Sequence, residues 1–66
     1  MKNTLKVQRA ILDLTQDDLA KEIGVSRQTI NSIEKNRYVP STVLALKLSA
    51  VFKISVNDFF TLEEDD

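Results

Sequence analysis

The chain has 66 residues with no cysteine and no histidine, and a formal net charge of −1. That length supports one small domain whose thin core hides only about 60% of the unfolded surface, so subunit association would help it. Disulfides and Cys/His zinc sites are excluded, no metal or cofactor is expected, and no apolar run approaches the ~20 residues of a membrane span.

Apolar residues recur at helical spacing and no strand alternation stands out, so an all-α, five-helix domain is predicted. The first helix should start near Asn3 or Thr4 and run to about Leu12, with Leu5, Val7, Ala10, Ile11 and Leu14 turned mostly inward. Thr15 should cap the second helix, with Asp18 three residues on at the capping-box position. Asp17 and Asp18 also complement the positive end of that helix. Leu19, Ala20 and Ile23 make its buried stripe. Gly24, the chain's single glycine, stands where a left-handed residue ends a helix.

Ser26 should cap a third helix over residues 27–35, and Asn36 can take the left-handed exit. "RYVPS" is an extended link, because the residue before Pro40 is pushed out of helical angles. Ser41 should cap a fourth helix over 42–52, apolar around most of its circumference and therefore the central core helix. Ser55 should open a short fifth helix, "VNDFF", ending around Thr61. The domain is expected to fill residues 1–62 and leave an acidic tail, 63–66, as a solvated, frayed end.

The third helix carries the chemistry. Ile30 and Ile33 point one way on a helical wheel; Gln28 and Lys35 point the other, flanked by Asn31 and Ser32, with Arg27 at the rim. No acid stands on that outer face. A solvated helix face ordinarily mixes Glu with Lys for i,i+4 pairing. Here amide, guanidinium and hydroxyl groups are offered instead, the groups that hydrogen-bond base edges and phosphates, at roughly 1–3 kcal/mol of discrimination per bidentate pair. A merely wet surface is the plain reading of such a face taken alone. The charge distribution favours a polyanion: "EEDD" removes four acids, leaving nine Lys/Arg against six Asp/Glu, +3, in residues 1–62.

A helix, a three-residue turn opening on glycine and a second helix have helix-turn-helix spacing. "LTQDDLAKEIGVSRQTINSIEKNRYVPS", residues 14–41, resembles the helix-turn-helix of the phage repressor/Cro family, also called the Xre family. "LALKLSAVFKISVNDFF" is similar to that family's last two helices. The match spans nearly the whole chain, with the Thr-Gln opening, Ala20, Gly24, Ile30, Ile33 and Glu34 in register.

The resemblance implies a lambda-repressor-like fold whose third helix enters the major groove while the second crosses the backbone. It implies base contacts from Arg27, Gln28, Asn31 and Ser32, although several family members carry a longer glutamine at the position of Ser32. It implies phosphate contacts from Gln16, Thr29, Lys35, Arg37 and Tyr38, with Gln16 also buttressing Gln28. A matching Arg–Glu pair ties the first and third helices in several members, so Arg9 and Glu34 are expected to form a partly buried ion pair. Family members typically bind two-fold sites as dimers, and Val56, Phe59, Phe60 and Leu62, with part of the apolar girth of the fourth helix, are the expected homodimer patch, since one helix cannot bury adjacent phenylalanines in a single direction; core packing is the alternative and claims one of the two.

The expected function is therefore a sequence-specific, cytoplasmic transcription regulator that binds double-stranded DNA, a repressor occupying an operator, with no length left for a sensing domain. An antitoxin or protein-interaction module with a protein partner is the alternative on the same fold. An enzyme is not expected: histidine and cysteine are lacking, and Asp17 and Asp18 diverge from adjacent helical positions. No phosphate-cradling glycine loop exists.

Overall fold

A computed structural model describes residues 1–66. It contains four α-helices: α1 (Leu5–Ile11), α2 (Gln16–Ile23), α3 (Arg27–Glu34) and α4 (Thr42–Phe52). Two short strands, β1 (Lys2–Asn3) and β2 (Phe60–Thr61), pair antiparallel with Lys2 opposite Thr61 and Asn3 opposite Phe60. The five-helix expectation is corrected to four. After α4 the chain makes only one 3₁₀ turn, Val56–Asp58, and then becomes extended. Asp58 Oδ2 accepts from both the N–H and the hydroxyl of Ser55 and so closes that single turn, and the antiparallel pairing with β1 takes the next residues out of helical geometry.

The helix starts follow their caps. Thr15 Oγ1 accepts from the Asp18 N–H at 3.0 Å while an Asp18 carboxylate oxygen accepts from the Thr15 N–H at 3.0 Å. The Ser26 hydroxyl accepts from the Thr29 N–H at 3.1 Å, and the Ser41 hydroxyl from the Leu44 N–H at 3.2 Å. Each satisfies a backbone donor that the first turn of a helix leaves open. Gly24 has φ +71°, and a Cβ built on it would meet nothing within 4 Å, so backbone angle alone calls for glycine there.

The core comprises Leu5, Leu19, Ala20, Ile23, Ile30, Ile33, Leu44, Leu48, Phe52, Phe59 and Phe60. It sits between the α2–α3 pair on one side and α4 with the C-terminal segment on the other. Phe52 and Phe59 meet edge-to-face with centroids 5.1 Å apart, and Phe59 and Phe60 lie 5.0 Å apart. A T-shaped pair such as Phe52–Phe59 is favourable beyond the area it buries.

Three expectations about packing change. In α1 only Leu5 is buried, whereas Val7, Ala10 and Ile11 face outward. The helix has just seven residues and turns out of register at Asp13, whose φ is +57°. Within α4 the buried stripe is Leu44, Leu48 and Phe52, at i, i+4 and i+8, while Val43 and Leu46 remain 65% and 59% exposed. So α4 contributes one stripe to the core and leaves apolar surface uncovered. The acidic end is not frayed: Glu63 Oε1 and Asp66 Oδ2 each lie 3.0 Å from the α-amino group beside the strand pair.

Candidate nucleic-acid interface

From Ala20 to Ser26 the backbone forms a rigid corner. The Val25 N–H donates to the Ala20 carbonyl at 3.0 Å across the left-handed Gly24, and Val25 packs against the core. The nearly complete burial of Ile30 and Ile33 then fixes the rotation of α3, so its opposite side must face solvent. Arg27, Gln28 and Lys35 are exposed there, and Asn31 and Ser32 are half-buried at the edges. Gln16, Arg27, Gln28 and Asn31 line one shallow depression. On the other side of Gln28, a second depression of about 440 Å³ includes Ser32, Arg37 and Tyr38. Gln28 thus lines both concavities, one wholly polar and one of mixed character.

Arg37 and Tyr38 reach that surface because α3 ends in a tight left-handed exit. Asn36 has φ +59°, its N–H donates to the Ile33 carbonyl, and the Arg37 N–H returns to the Ser32 carbonyl at 2.9 Å. This is the Schellman arrangement, with asparagine in place of the usual glycine.

Glu34, the one acid of α3, is withdrawn from this surface. Its Oε2 accepts from Arg9 Nε at 2.6 Å and its Oε1 from Arg9 Nη2 at 3.1 Å, a two-pronged pair with side chains only 13% and 9% exposed. Arg9 Nη1 also donates to the Leu14 carbonyl at 3.0 Å. The contact with Glu34 raises the pKa of the Arg9 guanidinium, so the cation stays charged.

One expected contact is redirected. Gln16 does not buttress Gln28; its amide nitrogen donates to Glu34 Oε1 at 3.1 Å and Asn31 Oδ1 at 3.3 Å. Asn31 and Glu34 are three apart on the α3 edge that faces the start of α2, whereas Gln28 is on the outer face. Thr29 is half-buried and its hydroxyl is bonded to the Ser26 hydroxyl at 3.0 Å, so it takes part in the helix cap while also lining the depression beside Gln28.

The expected apolar patch is corrected as well. Phe59 and Phe60 are 1% and 7% exposed. Once the chain leaves helical geometry after Asp58, adjacent side chains are no longer held about 100° apart, and both rings reach the core. Val56 is half-buried and Leu62 is exposed.

A helix-turn-helix family profile matches residues 5–59 of the chain. The chain belongs to the helix-turn-helix family of Cro/C1 type. This helix-turn-helix protein is 53% identical to an uncharacterized HTH-type transcriptional regulator of Methanocaldococcus jannaschii, with both chains covered in full. A Bacillus subtilis HTH-type transcriptional regulator is 46% identical, again over the whole of both chains. The ImmF control region 10 kDa protein of Bacillus phage phi105 is 32% identical across 80% of this chain and 59% of its own length. Among solved structures, the SOS-response transcriptional repressor LexA from Eubacterium rectale superposes with a TM-score of 0.79 at 31% identity, over 94% of this chain and 66% of that one. The protein is a DNA-binding transcriptional regulator with a helix-turn-helix, and its relatives are regulators, not enzymes. No helix is long and apolar enough to cross a membrane.

Asn3, expected only near the start of α1, also holds the helix-turn-helix in place through contacts the sequence did not signal. The Asn3 side-chain amide donates to the Ile33 carbonyl at 2.9 Å and to Asn36 Oδ1 at 2.8 Å, while its oxygen accepts from the Leu5 N–H. Asn3 therefore ties the first turn of α1 to the end of α3. Its partners lie 30 and 33 positions away, beyond the reach of any local pattern.

Proposed function

We propose that this regulator is a repressor that reads a near-palindromic operator as a homodimer, with α3 in the major groove. Arg27, Gln28, Asn31 and Ser32 meet base edges, and Gln28, lining both depressions, is the principal reader. Lys35, Arg37 and Tyr38 hold phosphates beyond the end of α3, with Thr29 supporting the helix start and Gln16 facing the backbone through its free carbonyl side. The observation that carries this reading is the acid-free outer face of α3, kept so by the withdrawal of Glu34 onto Arg9. A carboxylate on that face would oppose phosphates and acceptor-rich base edges.

With the phenylalanines buried, the dimer surface in this proposal is centred on the α4 part of the expected patch. Val39, Val43 and Leu46 are exposed large apolar residues, and a shallow groove beside them is bordered by Met1, Pro40 and Val56. Two copies joined there would present two recognition helices, with half-site centres expected about 34–36 Å apart.

Binding-site selection from random duplexes, followed by salt titration, tests the function. A two-fold word should emerge, and if about six phosphates are neutralised per complex, log affinity should fall with log salt at a slope near −5. Recovery of no enriched word would refute sequence-specific binding. On the selected site Gln28→Ala should cost roughly 1–3 kcal/mol with little change in non-specific affinity, whereas Lys35→Ala should weaken all duplexes alike.

A further inference from the structure

The hydrogen bonds beneath the recognition surface have a direction, and each link compels the next. Both Glu34 oxygens accept from Arg9, which has only donors to offer, so Glu34 is a carboxylate that can only accept. Facing it, Gln16 must present its amino end, and one of its two N–H groups goes to Glu34 Oε1. The other goes to Asn31, which must answer with an acceptor and therefore turns Oδ1 inward. That leaves the Asn31 amino group, which donates to nothing inside the protein, at the edge of the depression shared with Arg27 and Gln28.

We propose that the Arg9–Glu34 pair, acting through Gln16, fixes Asn31 as a donor toward the groove, so that Asn31 selects guanine over adenine. A free asparagine favours adenine, because its oxygen accepts from N6 while its nitrogen donates to N7. With Oδ1 held by Gln16, only the two N–H groups face outward, and guanine answers them with two acceptors, O6 and N7. Gln28 has no such restraint and keeps both halves of its amide. Gln16 is in this scheme a positioning residue. The proposal rests on the reading of α3 as the DNA-contacting helix, and it specifies the base class that one of its side chains takes.

The test runs the random-duplex selection on four proteins: the native chain, Asn31→Ala, Gln16→Met and Gln16→Lys. Circular dichroism first establishes that the variants are folded, and Asn31→Ala identifies the position that Asn31 reads as the one whose preference disappears. There the native protein should favour guanine over adenine by about tenfold, the equivalent of one good hydrogen-bond pair. Gln16→Met frees the Asn31 amide to rotate, so adenine should rise to within about threefold of guanine. Gln16→Lys can only donate and should retain the guanine preference, which a purely structural role for Gln16 would not explain. In the free protein, the Gln16 side-chain amide protons should exchange with solvent more slowly than those of exposed Gln28.

Adenine at the Asn31 position, no position that depends on Asn31, an unchanged preference in Gln16→Met, or equal loss in Gln16→Met and Gln16→Lys would each overturn the donor assignment while leaving sequence-specific binding intact. Gln16 amide exchange as fast as that of Gln28 would overturn it without any DNA present. Failure of the native protein to select any word would instead remove the DNA reading of α3, and the role of Asn31 with it.

Discussion

Lys53 ends α4 in the left-handed conformation at φ +58°, a position that costs a residue with a Cβ about 1–2 kcal/mol. Its side chain is exposed, so little packing is lost on removal. Lys53→Gly should therefore raise stability by about 0.5–1 kcal/mol, the strain relieved less the extra freedom of glycine in the unfolded chain. Chemical denaturation would measure it, and a lower midpoint would contradict it. Arg9 behaves in the opposite sense. Arg9→Met leaves Glu34 mostly buried with only the Gln16 amide beside it, so unfolding free energy should drop by about 3–5 kcal/mol. A variant as stable as the native protein would show that the pair does not anchor α3. Asp18 is the third residue of note: the hydrogen bond from the Thr15 N–H, with the Thr15 side chain beside it, holds its carboxyl below the ordinary aspartate pKa. A depressed acid supports the fold above its unfolded pKa, and that support is lost as the pH falls through the folded value.

The corner joining α2 to α3 is the decisive element, because its angle sets which face α3 presents. Gly24→Ala adds a methyl group that meets no neighbour, so its cost comes from the positive φ alone. The expected loss is about 1 kcal/mol of stability with the fold retained. A much larger loss in a thermal or denaturant titration would point to a clash that this geometry does not contain. The far end of α3 is held differently, by Asn3 from the β1 strand and by the left-handed Asn36. Helix α3 and the strand pair are thereby tied together, which gives the two-residue strands a structural purpose despite their length.

For the molecule as a whole, the uneven surface matters more than the net charge. The acids of the tail lie toward the amino terminus and the strand pair, away from the outer face of α3. The exposed apolar side chains of α4 make a separate surface, on which the proposed dimer depends. Leu46→Glu should leave the circular dichroism spectrum unchanged but shift sedimentation toward monomer, because a charge would be buried in the joined surface. Affinity for a two-fold site should fall at least tenfold while single half-site contacts persist, as expected when a second binding event loses its tether. An undisturbed dimer in this variant would move the interface elsewhere.

Helix α3, its caps and its buried stripe were legible in the residues themselves, because capping, left-handed exits and helical period are local rules. Thr15, Gly24, Ser26 and Ser41 signal their roles within three or four positions, and the Arg9–Glu34 pair could be expected from a family motif. Tertiary structure decided the rest. Phe59 and Phe60 looked like consecutive residues of a helix, yet pairing with a strand 57 positions away, Asn3 to Phe60, converted that segment and put both rings in the core. Gln16 looked free to support Gln28, but the angle between α2 and α3 placed Asn31 and Glu34 within its reach instead. A short segment can encode its own turn or cap; which distant donor meets which acceptor is known only once the chain has closed on itself.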